Sequence, residues 1–183
     1  MDPWAEPDET KLAELLLYVA EKELDDLPGG ATKVNKILFF AEFSHIRAYG
    51  VPITGEPYQK LENGPAPRHL APIRDRLIAE DAAYLRIDDY FGRPLHRLVP
   101  KRPADLTRFT GDELRVTDQV VQALWGKTAK EVSDMSHEEM GWRMVEEGED
   151  IPLPSAFLAK KAVSTEKTRT RAQELSQRLG LSG

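Results

Sequence analysis

Four histidines, His45, His69, His96 and His137, are the side chains best suited to acid–base or metal chemistry near neutral pH. No two of them stand three or four residues apart on one helix, and no acidic neighbour completes a metal-ligand spacing. Ser44-His45 and Ser136-His137 each place a hydroxyl beside an imidazole. Adjacent residues on a helix point in different directions, so neither is a nucleophile–base pair, and no Gly-x-Ser-x-Gly elbow occurs. Gly126-Lys127-Thr128 has the ending of a phosphate-binding loop, but Val121 stands where that loop needs its first glycine. A helix, not a strand, precedes it, so Gly126 reads as the stop of one helix and Thr128 as the cap of the next. Asp25-Asp26 and Asp88-Asp89 sit near turns, where aspartate serves local hydrogen bonding. Cysteine is absent, which removes disulfides, thiolate metal sites and cysteine nucleophiles. Nothing here argues for an enzyme, and no cofactor or metal is expected.

The elements that hold these residues are legible from periodicity. The first nine residues carry two prolines and four acids and read as an extended acidic arm. A helix follows from about Asp8, with Leu12, Leu15, Leu16, Val19 and Ala20 at helical spacing, and Pro28-Gly29-Gly30 closes the region. Thr32 is placed to cap a second helix whose Val34, Ile37, Leu38, Ala41 and Phe43, extended by Phe39 and Phe40, mark it as the central core helix. Gly50 suits its C-terminal cap and Pro52 prevents continuation.

Thr54-Gly55 reads as a turn, Tyr58–Leu61 as a short strand, and Asn63-Gly64-Pro65 as a second turn. Pro65 or Pro67 then opens a helix bearing Leu70, Ile73, Leu77 and Ile78. Residues 83–100 read as a β-hairpin turning near Gly92. Three capping boxes follow, Thr110/Glu113, Thr128/Glu131 and Ser136/Glu139. Ile151–Pro154 reads as extended, and Ser155 as the cap of a last short turn. The expected fold is therefore mainly α (α+β): a compact helical domain over 10–158 with a small antiparallel sheet, built from the hairpin and residues 57–61. A basic helical tail over 159–183, striped by Thr168, Ala172, Leu175 and Leu179, completes the chain.

With 183 residues and a net charge of −6, one domain plus a tail fits, and general nucleic-acid binding is not the first expectation. The charge alternates in blocks, at −7 over 1–30, +4 over 31–110, −7 over 111–158 and +4 over 159–183. Balanced solvated faces explain such blocks, and so does a basic surface that meets an acidic partner. Lys33, Lys36, Arg68, Arg74 and Arg76 could contact DNA, yet the helix carrying the two lysines is too apolar to lie in a groove. No apolar run is long enough to span a bilayer, and the opening Met1–Glu6 has no signal-peptide character, which with the missing cysteines points to the cytoplasm.

The most distinctive stretch holds Lys33, Asn35 and Lys36, then Tyr49-Gly50-Val51-Pro52-Ile53-Thr54-Gly55, then Tyr58, Lys60, Asn63-Gly64-Pro65 and Pro67. Ser136-His137, Trp142 and Ile151-Pro152 follow at matching intervals. This ordered set resembles the Panacea domain, the SocA-like antitoxin domain of bacteria and their phages, over about residues 10–158. The resemblance implies a non-enzymatic antitoxin that neutralises a cognate protein toxin, the product of an adjacent gene, by direct contact. Alternatives are an adaptor that delivers the bound toxin to a protease, a DNA-binding transcriptional regulator, and a phage factor acting on a host protein. The physical reading of the same residues is structural: glycines permit special backbone angles, prolines set boundaries, and Phe39, Phe40 and Trp142 anchor the core. Lys60 and Asn63 either bind carbonyls locally or face a partner.

Overall fold

The computed structural model describes residues 6–158, so the C-terminal tail and the start of the acidic arm lie outside the described residues. Asp8 caps the first helix, α1 (Glu9–Lys22), by accepting the Lys11 amide at 2.8 Å. The Asp8 amide in turn donates to the Thr54 carbonyl at 2.8 Å, so the described end of the arm is pinned to a loop. The second helix, α2 (Ala31–Tyr49), is the expected core helix. Ile37, Leu38, Phe39, Ala41, Phe43 and Ile46 are fully buried in it. Its cap is Gly30, not Thr32, which lies exposed inside the first turn. Gly30 abuts the hairpin, where a Cβ would stand 2.5 Å from the Leu95 side chain. Gly50 closes α2 in the left-handed conformation.

Two short strands follow, β1 (Tyr58–Gln59) and β2 (Ala66–Pro67), then α3 (Leu70–Ala79). Neither Pro65 nor Pro67 opens that helix. Pro67 belongs to β2, and the helix begins after His69, whose amide donates to the buried Glu56 carboxylate at 2.7 Å. The hairpin is β3 (Ala83–Tyr90) and β4 (Arg93–Pro100), paired along their whole length around the two-residue turn Phe91-Gly92.

Next come α4 (Gly111–Leu124) and α5 (Ala129–His137), each opened by its expected capping box. The third box does not form. Ser136 is buried within α5 and donates to the Ser133 carbonyl at 2.7 Å, while Glu139 precedes α6 (Met140–Met144) and pairs with Arg47. The last strand, β5 (Asp150–Ile151), leads into a 3-10 turn, Leu153–Phe157, capped by Pro152, with Ser155 buried inside it. The structure is thus mixed α and β with mainly helical mass, but the described residues form two small sheets. β1 pairs antiparallel with β2 and β5 in the order β2-β1-β5, and the hairpin stands apart.

Candidate interaction surface

The distinctive residues separate into four places. Lys33 is fully buried and pairs with Asp26, with Glu23 at 3.6 Å. Arg97 from β4 joins them by donating to the carbonyls of Glu23 and, at 3.0 Å, Asp26. Burial pushes the Glu23 carboxyl up to about 7, with Lys33 opposing. Asp26 also accepts the Gly126 amide at 2.9 Å, so it ties distant segments together and is not a local turn residue.

Tyr49, Gly50, Pro52, Thr54, Gly55 and Tyr58 form the second place, the loop that returns from α2 to β1. Glu42, fully buried on α2, accepts the Thr54 amide at 3.0 Å, the Thr54 hydroxyl at 3.0 Å and the Gly55 amide at 2.9 Å. Burial raises its carboxyl to about 7 against the pull of those donors. Tyr58 packs edge-on against Phe39 with ring centres 5.4 Å apart, and burial pushes its hydroxyl well above its usual range. Tyr49 is exposed, stacks on His45 at 4.8 Å and donates to Asp112 at 3.1 Å. Pro52 lies half-buried just past the Gly50 cap.

The third place gathers Lys36, Lys60, Asn63, Gly64, Pro65, His137 and Trp142 from three separate stretches of sequence. The Lys36 ammonium donates to the Pro65 carbonyl at 2.9 Å, and burial lowers it to about 8. Gly64 has φ +91°, and a Cβ there would stand 2.4 Å from the Ser136 hydroxyl and 2.7 Å from Lys36 Cε. Lys60 donates to the Val145 carbonyl at 2.8 Å and sits 4.2 Å over the Trp142 ring, which stacks on His137 at 4.1 Å. Burial, then the Lys36 and Lys60 charges, hold His137 below its usual range, with Asp134 opposing. Lys60 therefore binds a backbone carbonyl, though one 85 residues along the chain and not of its own turn, and Asn63 alone of this group is exposed on the turn.

The fourth place is an open groove of about 420 Å³ between α2, β2, α3 and the hairpin. Asn35 and Pro67 line it, with an apolar floor from Leu16, Val34, Ala71, Leu85 and Leu98. Arg68, Arg74 and His96 supply positive or titratable side chains along it. Arg68 pairs with Asp150 and Arg74 with Asp75. Residue patterns alone missed Ala71, Leu85 and Leu98, because a groove wall is made by elements meeting, and they missed Glu42 and Glu56. The one signal for Glu42 was a carboxylate in the middle of an otherwise apolar helix.

The lysines weighed for DNA contact, Lys33 and Lys36, are both buried, so α2 offers no basic face to a duplex. Among the described residues no three of His, Cys, Asp and Glu gather to hold a metal ion, and no helix is long and apolar enough to cross a membrane. An open, largely apolar groove beside a helical core is a candidate binding surface. The chain belongs to the antitoxin SocA-like, Panacea domain family, whose model matches residues 34–143. That span holds the second and third places and most of the groove lining, but it begins just after Lys33 and so leaves out Glu23, Asp26 and Lys33; it also ends before Ile151-Pro152. No curated protein and no solved structure matches the chain.

Proposed function

We propose that the protein is the antitoxin of a toxin–antitoxin pair, acting by stoichiometric binding of its cognate toxin rather than by catalysis. Membership of the antitoxin SocA-like, Panacea domain family carries this reading. The groove supports it, since all of its lining except Leu16 and Ala31 lies within the matched span and Asn35 and Pro67 of the distinctive stretch border it. An apolar segment of the toxin suits the groove, because its floor is apolar. A specific complex would bury about 1,600 Å², so the groove would form the centre of a larger contact.

The test is co-expression with the product of the adjacent gene in a bacterial host, followed by pull-down. A neighbour that is toxic alone, harmless together and co-purified supports the reading; a neighbour harmless alone removes it. The variant Ala71→Glu places a charge at an exposed helix position in the groove without touching the core. It is expected to keep the fold by circular dichroism and to weaken toxin binding at least about tenfold.

A further inference from the structure

The hairpin has two outer edges, and they are not equivalent. In a hairpin closed by a two-residue turn, the residues flanking the turn exchange hydrogen bonds, and every second pair repeats this. The register therefore turns the backbone groups of Tyr84, Arg86, Asp88 and Tyr90 inward, toward β4. The groups of Ala83, Leu85, Ile87 and Asp89 face outward from β3, and no strand covers them among the described residues. On β4 the outward positions are Pro94, His96, Leu98 and Pro100, and the two prolines remove two of that edge's four donors, leaving those of His96 and Leu98. The β3 edge has no such protection, and it carries exposed aliphatic side chains, with Leu85 at 45% and Ile87 at 65% of full exposure.

We propose that β3 pairs antiparallel with β3 of a second copy of this chain, about a twofold axis through Ile87. The two adjacent registers fail on charge, and one centred on Leu85 forgoes the Arg86–Asp88 pairing. A register two residues lower brings Arg86 opposite its own mate, and one two residues higher does the same to Asp88, setting like charges face to face. Centred on Ile87, the outward groups of Ile87 meet those of its mate, and Leu85 meets Asp89 of the second copy. Arg86 then faces Asp88 of the second copy, twice by symmetry, and Tyr84 faces Tyr90. Arg86 and Asp88 already lie on one face in contact at 2.7 Å, with Arg97 behind at 2.9 Å, so the pairing extends an alternating row of charges. The opposite face joins Ile87 to Ile87 across the axis and sets both grooves on the same side of a four-stranded sheet. An isologous contact of this kind closes as a dimer.

The absence of cysteine makes the register directly testable in the full chain. Mates in such a hydrogen-bonded pair have Cα atoms about 5.5 Å apart. Under mild oxidation Ile87→Cys is expected to give mostly covalent dimer, whereas Leu85→Cys and His96→Cys stay mostly monomeric. Ile87→Pro removes one outward donor and no rung of the hairpin itself, so it is expected to abolish association with circular dichroism unchanged. Sedimentation equilibrium on the unmodified chain reads the association, over a series reaching ~1 mM because one strand pair is a small interface. A wild-type chain that stays monomeric, cross-linking that is equal at positions 85, 87 and 96, or a dimer that survives Ile87→Pro overturns the proposal. Loss of toxin capture in Ile87→Pro from a monomeric wild type also overturns it, and gives the edge to the toxin. The antitoxin reading stands or falls separately, on the growth assay.

Discussion

Lys36 is a buried ammonium with one carbonyl partner and no carboxylate beside it. Its lowering to about 8 means that the charged form is disfavoured in the fold. The penalty is fully present below pH 8 and disappears as pH rises through the unfolded value near 10.4, and it amounts to about 3 kcal/mol at neutral pH. Lys36→Met is therefore expected to raise denaturation stability by about 1–3 kcal/mol at pH 7, with the gain shrinking as pH rises above about 8 and gone above the unfolded value. Glu42 has the opposite sign. Its carboxyl is raised to about 7, so its contribution is fully present below the unfolded value near 4.3 and is lost as pH rises through 7. Glu42→Gln is expected to flatten the decline in stability between pH 5 and 7, leaving the part due to Glu23, which is shifted the same way. Gly64 meets two constraints at once, a positive φ and an occupied Cβ position, so Gly64→Ala should cost about 2–4 kcal/mol by urea titration.

Among the elements, the hairpin turn carries the clearest local conflict. Phe91 and Gly92 have φ of +50° and +76°, the signature of a type I′ turn, and a bulky residue is a poor occupant of its first position. Phe91 is 89% exposed, so its ring gives little packing in return. Phe91→Asn is expected to stabilise the protein by about 1 kcal/mol, read as a higher midpoint of thermal unfolding. The hairpin itself was legible because its apolar runs flank a glycine. Asp88 and Asp89 look like residues near a turn, yet both lie in β3, where Asp88 pairs with Arg86 and Arg97. The same limit explains the third capping box. Ser136/Glu139 has the right spacing, but Ser136 is already inside α5 and bonded to Ser133, while Glu139 holds Arg47. A spacing rule sees the two residues and not the competing partner.

For the whole molecule, the most informative feature is how the distinctive stretch divides. Lys36, Gly64, His137 and Trp142 become one packed knot, Thr54 and Gly55 become ligands of Glu42, and Asn35 and Pro67 border the groove. Residues that mark the family in sequence thus build the scaffold more than they face a partner. A groove variant such as Ala71→Glu should therefore separate binding from folding, whereas Lys33→Ala, which strands Asp26 and Glu23 without their cation, should lower stability by about 3–5 kcal/mol. Chemical denaturation of the two variants side by side checks the distinction.

The sequence by itself determined the helices with one apolar face, the glycine stops, two capping boxes and the hairpin, because these depend on residues within a turn or two of one another. It also carried the family resemblance, since that is an ordered set of residues along the chain. Only the tertiary structure decided that Lys33 and Lys36 are interior, that β1 pairs with β5 rather than with the hairpin, and that α2, α3, β2 and β4 leave a groove between them. Each of these depends on groups far apart in the chain, and on burial, which makes an unpaired charge or a free backbone edge costly only once water is excluded from it.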